Sequence, residues 1–282
     1  MTPLDQIKKL AGNFIFNQVL CPRDSFFSSE VIPQEESVDV FLQMLYGQEK
    51  EKIDFALSWC AHQEGSVLDL SNNQGRLALS LVQNQISTSV IENSQSKITE
   101  LRKLRSQLAQ APQSLFSLYP FETTKFEIDE SFSTLFVAPQ VMEQTETELM
   151  ILGTLRKCLS HLNPEGSCFI EVHNLDYFET QWDFRDSIWR YALPDSPSNF
   201  QGRLWERTYP GPKESQTLFE YAVSQQLNEF ELYRSTLHLF NLDQWMKLFE
   251  VAGFIVEECY GDWKKNVPNS QSPLLIFHLK VK

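Results

Sequence analysis

A chain of 282 residues, 42% of them hydrophobic, is long enough for one large domain, or a domain with a subdomain, around a sizeable core. Its 24 Lys and Arg against 37 Asp and Glu give a net charge of −13, which argues against nucleic acid as a partner, because that binding needs a basic footprint. The five cysteines, Cys21, Cys60, Cys158, Cys168 and Cys259, are odd in number, widely spaced and free of any C-x-x-C, so neither a disulfide framework nor a metal site is expected. No apolar run reaches the length of a membrane span and no cleavable leader stands out after Lys8 and Lys9, so the expectation is a reduced, soluble, cytoplasmic protein without a membrane partner.

Residues 1–60 read as helical, with Glu35 to Leu45 and Glu51 to His62 as the most periodic segments and Pro22 and Pro33 bracketing a loop before them. Gly65 to Ser94 then reads as strand, tight loop, helix and strand. Val67 to Leu70 is β-prone, Ser71 to Gly75 is small and polar, Arg76 to Gln85 carries Leu77, Ala78, Leu81 and Val82 at helical spacing, and Ser89 to Ile91 ends on Glu92. Such a unit reads as the first half of a nucleotide-binding α/β fold, in which a ligand lies over the loop and the acid holds ribose hydroxyls. Asp69, Ser71, Asn73, Gly75 and Glu92 are the candidate ligand contacts. Gly75 is the loop's glycine, while Ser71 and Asn73 stand where a G-x-G-x-G pattern would place two more.

Ser94 to Gln110 reads as a helix with a serine cap, closed before Pro112, and its basic residues Lys97, Arg102, Lys103 and Arg105 read as a solvated face. Leu115 to Leu118 and Thr134 to Ala138 are the next strands. Ala138 ends the second of them, and Pro139, Gln140 and Glu143 fall just past it, where open α/β sheets place ligands. Glu146 to His161 is a helix, Asn163 to Gly166 a turn, and Ser167 to Val172 a strand whose end presents His173, Asn174 and Asp176. His173 is either a proton acceptor near the reacting group or a hydrogen-bonded histidine at a strand end.

From Tyr177 the chain becomes aromatic and proline-punctuated, and Gly202 to Tyr209, Thr217 to Leu227 and Glu229 to Leu239 alternate as antiparallel strands do. Most of the aromatics are expected to be core, with Arg190, Arg207, Tyr209 and His238 as candidate contacts to a substrate. Asn241 to Asp243 cap a helix to Val251 that Gly253 ends, and Ile255 to Tyr260 and Leu274 to Val281 form a closing β pair.

Several stretches, in this order, resemble the class I S-adenosylmethionine-dependent methyltransferases of the small-molecule, glycine or sugar-amine N-methyltransferase type. They are Leu45 to Phe55, Val67-Leu-Asp-Leu70 with Gly75-Arg76, Val90 to Ser94, Leu162 to Asn174, Trp245 to Phe254, and Tyr260-Gly-Asp-Trp263 with Ser272 to Phe277. The resemblance implies an α/β fold with a Rossmann-like seven-stranded sheet. It divides the chain into an N-terminal helical cap (residues 1–60), a cofactor-binding core (61–176), an antiparallel β insertion covering the site (177–240) and a C-terminal completion of the core (241–282). It implies S-adenosylmethionine as cofactor, Tyr46 near its methionine end and Glu122 as the acid nearest the adenine position, although Tyr119-Pro120-Phe121 occupy the place where that acid usually stands. The implied activity is methyl transfer to nitrogen or oxygen of a small-molecule acceptor. The alternative is a methyltransferase-like protein without methyl transfer, serving as a binding or assembly partner or catalysing another reaction. A homodimer or a protein partner is compatible with either. Methyl transfer depends on orienting two substrates and excluding water, so no catalytic triad is expected.

Overall fold

The computed structural model describes residues 49–70, 75–143, 147–179, 185–191, 200–210, 216–226 and 229–282. The helix expected over Glu35 to Leu45 lies outside these described residues. Helix α1 (Glu49–Cys60) leads into β1 (Val67–Leu70), α2 (Arg76–Gln83), β2 (Thr88–Ile91), α3 (Gln95–Gln107), α4 (Gln110–Ser114) and β3 (Phe116–Tyr119). Then follow β4 (Phe132–Val137), α5 (Pro139–Glu143), α6 (Glu148–Ser160), β5 (Leu162–His173) and α7 (Leu175–Glu179). The chain continues through β6 (Arg185–Tyr191), β7 (Phe200–Pro210), β8 (Gln216–Gln226) and β9 (Glu229–His238), and closes with α8 (Leu242–Ala252), β10 (Phe254–Tyr260) and β11 (Leu274–Val281).

Seven strands form one sheet in the order β10-β11-β5-β4-β1-β2-β3, parallel from β5 to β3, with β11 antiparallel to both of its neighbours. Both faces are covered, so its strands are near-continuous apolar runs and not alternating ones. Along β5, Cys168, Ile170 and Val172 join the cluster containing Trp245, Phe249 and Ile151 of α8 and α6, while Phe169 joins Ala56, Leu77 and Leu81 of α1 and α2. The helices bury one stripe each. In α8, Trp245, Leu248, Phe249 and Ala252 follow the three- and four-residue spacing of a helix face.

Local signals set the helix ends. Ser94 Oγ accepts from Lys97 N, Thr147 Oγ1 accepts from Met150 N at 3.3 Å, and Asn241 and Gln244 exchange bonds of 2.9 Å as a capping box. α3 stops at Leu108, which is extended, and Pro112 then enters the first turn of α4, where its missing N–H costs nothing. The turn expected at Asn163 to Gly166 is a bulge within β5. Phe132 pairs with Leu162 and Thr134 with Ser167, so these residues loop out opposite Ser133 and the strand resumes its pairing.

The strands β6-β7-β8-β9 form a second, four-stranded sheet, with β6, β7 and β8 antiparallel, and residues 178–237 fall in a compact unit apart from the seven-stranded one. The three alternating segments correspond to β7, β8 and β9. β6 adds a fourth strand that the alternation did not mark, paired with β7 from Arg185↔Glu206 to Tyr191↔Phe200.

Among the described residues no helix is long and apolar enough to cross a membrane. Cys60, Cys158, Cys168 and Cys259 are free thiols. Burial pushes Cys60, Cys158 and Cys259 up to about 12 and holds Cys168 well above the ordinary thiol range, so the nucleophilic thiolate is scarce at neutral pH. Iodoacetamide at pH 7.5 is therefore expected to leave Cys60, Cys158 and Cys168 unmodified in the native protein and to label them in denaturant, as read by peptide mass spectrometry.

Candidate functional site

Because β1, β2, β4 and β5 are parallel, their carboxyl ends share one edge of the sheet. The chain leaves β1 toward β2 on one side, and β4 lies on the other, so the edge between β1 and β4 is the switch point at which such sheets form a ligand crevice. Ala138 is buried there, and its N–H donates to Leu70 O at 3.3 Å, joining the tips of the two strands. Asp69, inside β1 beside Val90 and Phe136, is also buried.

Gly75 caps α2 in the left-handed conformation, φ +70. A Cβ there would meet Leu101 Cδ2 of α3 at 2.2 Å, so glycine satisfies both the backbone angle and the close packing of α2 on α3. Gly75→Ala is expected to lose about 2 kcal/mol from these two sources together. The measurement is a lowered urea midpoint at unchanged slope.

At the tip of β2, Glu92 is 4% exposed, a buried carboxylate and not a solvated strand end. Its Oε1 accepts from the amides of Asn93 at 2.9 Å and Ser94 at 2.8 Å, and its own amide donates to Tyr119 O at 3.1 Å. The turn into α3 thereby fixes one carboxylate oxygen and with it the orientation of the other. At the tip of β3, Tyr119 and Phe121 stack at 6.3 Å with planes 8° apart. Glu122 is solvent-facing in an ion pair with Lys125 at 2.7 Å, a surface contact of small energy.

Three strand positions from β2, at the end of β5, His173 and Glu143 form a sealed pair, 1% and 0% exposed. Glu143 of α5 accepts from the main-chain N–H of His173 through Oε1 and meets the ring Nδ1 through Oε2. Burial pushes the Glu143 carboxyl above its usual range, against the opposing pull of His173, and Glu171 adds to the upward push. Glu171 points to the same face of β5 as His173. It is buried against Lys52 of α1, whose ammonium it binds, and accepts from Trp263 Nε1 at 3.3 Å. Asn174 ties the exit of β5 to the 261–273 loop: its side chain donates to Asn269 O at 3.0 Å and Ser272 O at 2.9 Å.

The sheet edge thus collects Asp69, Gly75, Glu92, Ala138, His173 and Asn174. Glu122 stands apart as a surface residue. Gln140 lies on α5, with its side chain outside the described residues, as are Tyr46, Ser71 and Asn73 altogether. Arg190 (β6), Arg207 and Tyr209 (both β7) lie on the second sheet, and His238, at the end of β9, is buried. Sequence reasoning had no role for Glu171 or Lys52. The available signal was a charge inside the apolar run Cys168-Phe-Ile-Glu-Val172, which requires a buried partner.

No protein-family model matches the chain, and no curated protein matches it in sequence. Solved structures do match. The methyltransferase CcbJ from Streptomyces caelestis superposes with a TM-score of 0.68 at 14% identity over 85% of this chain and 96% of that one. An S-adenosylmethionine-dependent methyltransferase from Clostridium acetobutylicum gives 0.67 at 11% identity, over 88% and 98%. This is the class I methyltransferase fold. A third structure of that fold, SAM-bound CalS10, an amino pentose methyltransferase from Micromonospora echinaspora, gives 0.61 at 11% identity over 86% and 95%. In the methyltransferase fold of this chain, the edge carrying Glu92 and the β1–β4 switch point is the edge at which a ligand is expected.

Proposed function

We propose that the chain transfers a methyl group from S-adenosylmethionine to nitrogen or oxygen of a small-molecule acceptor. The observation that carries this reading is Glu92, a buried carboxylate at the tip of β2 with one oxygen locked by two amides, which suits it to accept from a pair of vicinal hydroxyls. Glu92 would hold the ribose. The chain around Gly75 would carry the remainder of the nucleoside and amino acid, with Asp69, Ala138 and the residues at 46, 71, 73 and 140 as further contacts. Glu122 is the weakest of the proposed contacts, because its partner is already a surface lysine. The cofactor supplies a methyl group on a sulfonium. The chain's own part is to orient the acceptor and exclude water.

Glu92 and His173 sit on strands β2 and β5, separated by β1 and β4, about 14 Å at roughly 4.8 Å per strand. A ligand anchored at Glu92 and extended across the switch point therefore approaches His173. There His173 would take a proton from the acceptor, with Asn174 beside it. Arg190, Arg207, Tyr209 and His238 are proposed to contact the acceptor, and the reading requires neither nucleic acid nor membrane. CalS10 acts on an amino pentose, and an amine-bearing small molecule is the acceptor class we favour here.

One observation favours the second reading, a methyltransferase-like protein without transfer activity: His173 and Glu143 are sealed from solvent, as a structural pair would be. Calorimetry tests the cofactor on which the first depends. Saturable binding of S-adenosylmethionine and S-adenosylhomocysteine is expected, and no heat of binding at millimolar cofactor would overturn the transfer reading.

A further inference from the structure

At the same carboxyl-end edge but five strand positions from the strand bearing Glu92, where β10 ends, one ammonium group is surrounded by rings. Lys265 Nζ lies 5.6 Å from the ring centroid of Phe55, 6.0 Å from Trp59 and 5.2 Å from Tyr260. Phe55 and Trp59 stack one turn apart on α1, with centroids 6.1 Å apart and planes at 14°, while Tyr260 ends β10. Glu258 adds the anion: its carboxylate accepts from the Tyr260 hydroxyl and stands 4.0 Å from Lys265 Nζ. Three aromatic faces and a carboxylate around one cation is the chemistry by which proteins recognise methylated ammonium groups.

Ring distance and exposure make lysine a weakly held occupant. Its nitrogen lies 5.2 to 6.0 Å from the three ring centroids, and a methyl carbon in place of an ammonium hydrogen would stand about 1.5 Å out from the nitrogen toward a ring face. Lys265 occupies the left-handed backbone region at φ +66, where any residue with a Cβ is disfavoured relative to glycine. The turn holds it there through Asp262, whose Oδ1 accepts from Lys264 N at 2.9 Å and Asn266 N at 3.1 Å, and through Gly261 N to Asn266 O at 2.8 Å. With its side chain 45% exposed, Lys265 can leave toward solvent without unfolding anything.

We propose that Phe55, Trp59, Tyr260 and Glu258 form a binding site for the methylated ammonium group of a soluble small molecule, with Lys265 as the resident occupant that such a ligand displaces. The methylated cation wins because it is less strongly hydrated than a lysine ammonium and fills the space between the rings. The site shares no residue with the proposed cofactor site at Glu92 and lies five strand positions from it.

The test titrates tetramethylammonium chloride into the intact protein and its Lys265→Gly variant, with ammonium chloride at equal ionic strength as control, reading aromatic proton shifts by NMR. Lys265→Gly removes the tethered competitor while keeping a residue suited to the left-handed turn. It is expected to bind tetramethylammonium about tenfold more tightly than wild type and about tenfold more tightly than ammonium. Adding Phe55→Leu, which keeps an apolar side chain on α1, should abolish that gain. Lys265→Gln, which keeps a polar side chain one methylene shorter and loses the charge, should fall between wild type and Lys265→Gly. Equal affinity in wild type and Lys265→Gly, or no preference for the methylated cation, would overturn the site. Flotation with phosphatidylcholine vesicles in the absence of saturable tetramethylammonium binding would overturn its assignment to a free small molecule.

Discussion

Lys52→Met is expected to destabilise the chain by about 3–5 kcal/mol, the cost of leaving a buried charge without its partner. Lys52 and Glu171 are each 7% exposed at the side chain, and the lysine also lies 5.6 Å over the Trp263 ring. Removing the ammonium leaves the Glu171 carboxylate with the indole N–H of Trp263 as its neutral donor. The double variant Lys52→Met/Glu171→Met should lose much less than the single one, because two apolar side chains of similar volume replace a pair whose attraction is largely offset by desolvation. Urea unfolding of wild type, both single variants and the double variant closes the cycle. Additive losses would mean that the two groups do not stabilise each other.

Glu92→Ala is expected to weaken S-adenosylmethionine binding by roughly a hundredfold, since two charge-assisted bonds at about 1.5 kcal/mol each amount to about 3 kcal/mol. The same substitution removes the acceptor for Asn93 and Ser94 at the start of α3, so some folding stability goes with it. Glu92→Gln separates the two effects: its amide oxygen still accepts from the turn, while the other position becomes a donor where an acceptor is required. Near-native melting with strongly weakened cofactor binding in Glu92→Gln is the expected pattern. Equal cofactor affinity in all three proteins would dismiss Glu92 as a ribose contact.

The parts of the fold readable from the sequence were those determined locally. The 3.6-residue pattern in Arg76 to Gln83 and the cap signals at Ser94, Asn241 and Gly253 depend on neighbours within a turn, and the structure uses each of them. Asn163-Pro-Glu-Gly166 misled because turn-forming residues also suit a bulge, and whether the strand resumes its pairing afterwards is decided by β4, which is distant in sequence. The site followed the same division. Glu92 and His173 were legible as polar residues at strand ends, but the Glu143–His173 and Lys52–Glu171 pairs join residues far apart in the chain, and no periodicity encodes them. Lys265 drew no notice, since a lysine in a polar loop looks solvated until three rings from two elements are brought around it.

β11 comes last among the strands in sequence and yet lies inside the sheet, between β5 and β10. During synthesis, β5 therefore emerges with one side unpaired, and Cys168 to His173 must wait for residues 174–273 to be made before Leu274 to Leu279 can cover them. The waiting edge is long, apolar and parallel-paired on its other side, which is the kind of surface on which nascent chains associate. Its closure through distant contacts is slow compared with helix formation. The nascent chain is thus at greatest hazard after the second, four-stranded sheet has left the ribosome and before β11 has, so shielding of that edge by a chaperone would matter most in that interval.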